Sequence, residues 1–198
     1  MRIKSHWFKN EREKTPQEIA GAAAFVIWRI GDNALKNTRK ADFEIATGTQ
    51  YFSFLTEFLI FLIQVADRVA YRQLSAETRF VFTSTLANHV AETLAENQSR
   101  LMGNSISEHK QCFIDKLNQR AEEYAEFHYD SDGPGFAFTR YLAYCMSEVM
   151  GEKDASWVID QMMSIEAPEA VTMVEKAIRD LFETEPGQPR TRKTVSGD

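Results

Sequence analysis

Turn-forming residues are scarce in this chain, with 9 glycines and 5 prolines among 198 residues. A β-rich fold needs many tight turns, so the shortage argues against one and suits long helices on short loops. Cysteine is scarcer still. Cys112 and Cys145 stand alone with no Cys-x-x-Cys pair, a pattern that excludes a disulfide scaffold and reads as two buried or half-buried thiols in a reducing compartment. No apolar run is long enough to span a bilayer: Phe52 to Ala66 is too short, and Glu57 and Gln64 interrupt it. Arg2, Lys4, His6, Lys9 and Asn10 likewise break up any signal-peptide core. These absences together predict a cytoplasmic protein with no membrane partner.

Charge of one sign is also in short supply. A net charge of −6 leaves too little positive surface for a phosphate backbone, which predicts no nucleic-acid partner. The two ends are basic, MRIKSHWFKNEREK and PRTRK, while residues 106–130 are acidic. Such ends can meet an acidic partner or simply be solvated.

What the chain does have is an unusually apolar helix. At 100° per residue the polar side chains of residues 50–71 (Ser53, Thr56, Glu57, Gln64, Asp67, Arg68 and Tyr71) fall on about a third of the circumference, leaving the rest apolar. Such a helix has to be covered by several neighbours. It predicts an all-α fold, a single compact bundle of about six or seven helices around this central one.

The neighbours announce themselves by their caps. Thr15-Pro16-Gln17-Glu18 is a capping box opening a helix to about Lys40, whose small residues Ala20, Ala24 and Gly31 predict a close approach to the central helix. Residues 44–49 read as the connection, with Thr47 or Thr49 as cap. A third helix runs from near Ser75 to Gly103 on Leu86, Val90, Leu94 and Leu101. Ser105-Ile106-Ser107-Glu108 opens a fourth on Phe113, Leu117, Ala121 and Tyr124, and DSDGPG at 130–135 breaks it. A fifth spans Phe136 to Met150. Asp154 is read as capping a short sixth through Met163, and Pro168 as starting a seventh on Val171, Val174, Ile178 and Leu181. The domains follow: a basic arm at 1–14, a helical domain at 15–183, and a tail at 184–198 too poor in apolar residues to order itself.

The sequence alone does not identify a reaction. It contains no Gly-rich phosphate loop, no Gly-x-Ser-x-Gly elbow and no His-Glu-x-x-His. A di-metal bundle needs inward Glu-x-x-His motifs, and none occurs; His89 with Glu92, and Glu122, Glu123 and Glu126, read as solvent-facing, so neither metal nor cofactor is expected. The remaining candidates for a ligand site or polar network are Arg29, Glu57, Gln64, Asp67, Arg68 and His128. The central stripe can face water, can pair with Arg29 and Asp32 of the first helix, or can line a pocket. His128, on the face of Tyr124 near a helix end, can cap a carbonyl or act as a base. Met146, Met150, Met162, Met163 and Met173 fill core gaps or line a partner groove.

The expected function is a non-enzymatic helical protein acting through protein–protein contacts as a homodimer, because the first two helices present more apolar surface than short neighbours cover. The alternative is a bundle enzyme or small-ligand binder using the charged stripe.

Overall fold

The apolar helix at 50–71 forms the axis of the molecule. In a computed structural model that describes residues 14–183, it is α2 (Thr49–Gln73), and Phe52, Phe54, Leu55, Phe58, Leu59, Phe61 and Leu62 on it are all buried. Around it stand α1 (Pro16–Lys40), α3 (Ala76–Met102), α4 (Ile106–Ala125), α5 (Phe136–Val149) and α7 (Ala167–Phe182), each in contact with α2. A five-residue helix α6 (Trp157–Gln161) and a π turn at Met162–Glu166 lead directly into α7. The chain is thus an all-α bundle, and none of its described helices is long and apolar enough to cross a membrane.

Local chemistry explains most boundaries. Both capping boxes form: Thr15 accepts from the Glu18 amide at 3.2 Å while Glu18 accepts from the Thr15 amide at 3.0 Å, and Ser105 and Glu108 repeat the arrangement. Ser75 caps α3 through the Thr78 amide. The cap of α2 differs from expectation. Gly48, at φ +88, occupies that position instead of Thr47 or Thr49, because the chain enters the helix through a left-handed conformation. The DSDGPG breaker is a tight hairpin in which β1 (Tyr129–Asp130) pairs antiparallel with β2 (Gly133–Pro134).

Four further corrections concern the outer helices. α4 ends at Ala125, well before the breaker. Leu101, assigned to the apolar stripe of α3, projects into solvent beyond the last covered turn. Asp154 does not cap α6. Its carboxylate accepts instead from the Glu44 amide at 2.8 Å and ties the α5–α6 connection to the α1–α2 loop. Nor does the chain restart at Pro168. Gln161, Met162, Glu166 and Ala167 all keep right-handed helical angles, so the helix runs on through the π turn.

The apolar surplus of residues 19–35 and 51–70, the reason for expecting a dimer, is covered within the chain. Ala20, Ala23, Ala24, Ile27, Gly31, Ala34 and Leu35 are buried together with every Phe, Leu, Ile, Val and Ala of α2. The small residues do permit close approach: a Cβ added at Gly31 would lie 2.9 Å from Leu59 Cδ2. Gly31→Val should therefore lower stability by about 1–3 kcal/mol through overpacking, despite replacing a helix glycine. Chemical denaturation would check this, and an unchanged or raised midpoint would show that Leu59 has room to turn away.

Candidate functional site

Apart from Tyr71, which is exposed near its C-terminal end, the polar stripe of α2 does not face open water. Glu57 and Gln64 are buried, Asp67 and Arg68 partly so, and the charged members divide between two neighbouring helices. Glu57, only 3% exposed, receives both arms of the Arg120 guanidinium from α4: Nε to Oε2 at 3.1 Å and Nη2 to Oε1 at 2.9 Å. Lys116, one turn earlier on α4, places Nζ 2.7 Å from the same Oε1. Arg120 then reaches outward, donating from Nη1 to Glu123 Oε2 at 3.0 Å and to the Tyr141 hydroxyl at 2.5 Å, while that hydroxyl donates to Glu123. Spacings of four and three residues put Lys116, Arg120 and Glu123 on one face of α4, against α2 and α5.

The protonation states follow from these contacts. Burial alone would lower the Arg120 pKa, but hydrogen bonds to Glu57 and Glu123 outweigh it and hold it above its ordinary value. Burial opposes ionisation of Glu123, yet the Tyr141 and Arg120 bonds keep its carboxyl below the usual range. Cys145, one turn from Tyr141 on α5, is buried, and burial together with the Glu57 charge pushes its thiol up to about 11. At neutral pH it is a thiol, the poorly nucleophilic form. The cluster thus holds two carboxylates, two cations, a phenol and a neutral thiol, with the charges in mutual contact.

Asp67 belongs to a second cluster. It accepts from Arg79 Nε at 2.9 Å, from a second Arg79 nitrogen, and from the Thr83 hydroxyl at 2.7 Å, joining α2 to α3 near their turn. Arg68 donates to the Tyr124 carbonyl at 3.0 Å, adding a charged donor at the C-terminal end of α4, where the Phe127 amide also bonds to that carbonyl at 3.2 Å. Among the described residues, no buried side-chain nitrogen or oxygen lacks a hydrogen-bond partner.

Several expected members lie elsewhere. Arg29 is exposed on α1, with its guanidinium 5.9 Å from the Phe25 ring, and meets neither Glu57 nor Asp67. Asp32 pairs with Lys36 on its own helix. His128 is exposed beyond the end of α4 and contacts Asp130 at 2.8 Å, so it is no buried neighbour of Tyr124. Cys112 is exposed, not half-buried. Glu123, read as solvent-facing, joins the Arg120 cluster. Arg120 and Tyr141 escaped the sequence reading altogether. Their one local signal was the Arg120/Glu123 spacing, which is common on solvated helix faces.

A cleft of about 580 Å³ at the opposite end is lined by Arg39, Glu44, Gln50, Gly151, Lys153 and Asp154. Its charges are engaged locally, Lys153 with Glu44, Asp154 with the Glu44 amide and Arg39 with the Ile45 carbonyl. Among the described residues no group of three or more His, Cys, Asp or Glu side chains is arranged to hold a metal ion. Compared with models of protein families, with curated proteins and with solved structures, the chain matches none.

Proposed function

We propose that this is a non-enzymatic helical protein of the cytoplasm that acts through protein contacts, as a homodimer formed by the outer face of α6, the π turn and α7. The interior charges neutralise one another within the fold, which favours a structural role for them over a catalytic one. The observation that carries the reading is a stripe of exposed apolar side chains: Trp157 at 68%, Ile165 at 44% and Met173 at 44%. Side chains eight apart on an α-helix drift by about 80° around the axis; the wider π turn removes most of that drift between Trp157 and Ile165, while the regular helix of α7 keeps it and sets Met173 at the edge of the stripe.

The equal spacing points to a second copy as the occupant. A two-fold axis through Ile165 sets Ile165 against itself and brings Trp157 toward the partner's Met173 at the edge of the contact, where an aromatic–sulfur approach is favourable. The stripe is about 24 Å long, and exposed Ile159 and Pro168 lie on the same continuous helix. Light scattering at micromolar concentration should give about twice the 22.7 kDa chain mass. Ile165→Glu, which sets two carboxylates face to face on the axis, should return the single-chain mass without lowering helix content. A wild-type monomer over a wide dilution range would sink the proposal.

A further inference from the structure

Glu57 and Glu166 are buried to the same degree, each 3% exposed, but their surroundings are opposite. Glu57 faces two cations. Glu166 faces an amide: Gln161 Nε2 donates to its Oε1 at 3.0 Å, and Asn37 of α1 lies close enough to act on it. Among the described residues, the charge that acts on it is the Glu169 carboxylate on α7, which disfavours a second negative charge. Charged groups on the other packed elements are engaged elsewhere. On α1, Lys36 holds Asp32 and Arg39 holds the Ile45 carbonyl. On α5, Tyr141 and Cys145 belong to the Glu57 cluster, Arg140 lies over Phe136, and Glu148 is exposed. On α6, Asp160 is exposed. Burial accordingly holds the Glu166 carboxyl above its ordinary range, with Gln161 and Asn37 opposing only part of the effect.

Position gives this carboxyl leverage. Glu166 is the last residue of the π turn, whose wide ring is closed by the Ala167 amide bonding to the Met162 carbonyl. A π turn holds an extra residue and persists only where surrounding contacts favour it. Here those contacts include Glu166 wedged between α6 and α1. We propose that Glu166 is a pH-sensitive latch: uncharged, it seats beside Gln161 where the π turn packs on α1; ionised, it withdraws and the turn relaxes toward an ordinary α-helix. Removing one residue from the turn rotates α6 by about 100° about the helix axis. The latch works whatever covers the outer face of α6.

The sign follows from where the proton binds more tightly. The folded chain holds the Glu166 proton more strongly than the unfolded chain. The seat's contribution is therefore whole below about pH 4.3, the unfolded glutamate value, and is lost as pH rises through the folded-state value. Hydrogen exchange over residues 157–167 of the full chain, compared at each pH with Glu166→Gln, cancels the intrinsic pH dependence of exchange. Wild-type protection should fall relative to the variant between pH 4 and pH 8, because a proton held more tightly in the seat than in the unfolded chain makes the seat less favourable once it has left. A protection ratio that stays constant over that range would overturn the latch. Should the variant not fold, carboxyl NMR of Glu166 in the wild-type chain decides. A midpoint well above the ordinary glutamate value, with exchange over 157–167 changing at the same pH, supports the latch, and an ordinary midpoint refutes it.

Discussion

Arg120→Met should lower stability by about 3 kcal/mol, the lower end of the range for breaking a buried ion pair, because Lys116 remains beside Glu57. For a domain of this size that is a fall of roughly 6–12 °C in melting temperature. The loss comes mainly from stranding a carboxylate that is 3% exposed. Replacing Glu57 as well, as Arg120→Met with Glu57→Met, should recover more than half of it, since both charges then leave the low-dielectric interior together. Arg29→Met on exposed α1 serves as the control and should stay within about 0.5 kcal/mol. Urea denaturation of the wild type, Arg120→Met, Glu57→Met and the double variant would close the cycle. Simple additivity of the Arg120 and Glu57 changes would show that the pair is energetically uncoupled, contrary to its geometry.

Phe61→Ala should cost about as much or more, about 3–5 kcal/mol, for a different reason. Phe61 lies at the centre of an aromatic cluster, with ring centroids 6.1 Å from Phe58, 6.3 Å from Tyr124 and 5.7 Å from Phe138. Tyr124 and Phe138 are themselves 4.7 Å apart. Truncation opens a void where α2, α4 and α5 meet, and no single neighbour can move to fill it without disturbing the others. Phe80→Ala, which removes the same side chain from a largely exposed position on α3, should change stability by less than about 0.5 kcal/mol. A similar small loss at Phe61 would mean that the centre repacks freely.

The two variants also mark what was legible in the sequence. Phe61 was readable as core because burial on one helix leaves a local periodic trace, and α2 is apolar over most of its circumference. The caps at Thr15, Ser75 and Ser105 were equally readable, since each is a contact between residues three apart. Glu57 could be placed on a polar stripe, but its partner could not be named. Arg120 lies 63 residues away on a helix whose polar face looked like any solvated surface. The choice between Arg29 and Arg120 depends on which helix packs beside the stripe, and no short window of sequence holds that information. The π turn left no trace either. Pro168 suggested a helix start because its missing N–H suits a first turn, yet the chain continues in helical conformation through the residues before it.

The position of α7 has a consequence for biosynthesis. This helix lies against both α1 and α2, so the first and the last of the described helices share a wall. Synthesis proceeds at about 5–20 residues per second, so the roughly 140 residues separating the end of α1 from the end of α7 take about 7–28 s to make. Throughout that interval the flank of α1 and α2 that α7 will occupy is exposed to whatever else is at the ribosome exit. Co-translational folding of this chain therefore cannot finish helix by helix; it is completed only when the C-terminal helix has emerged and closed the ring.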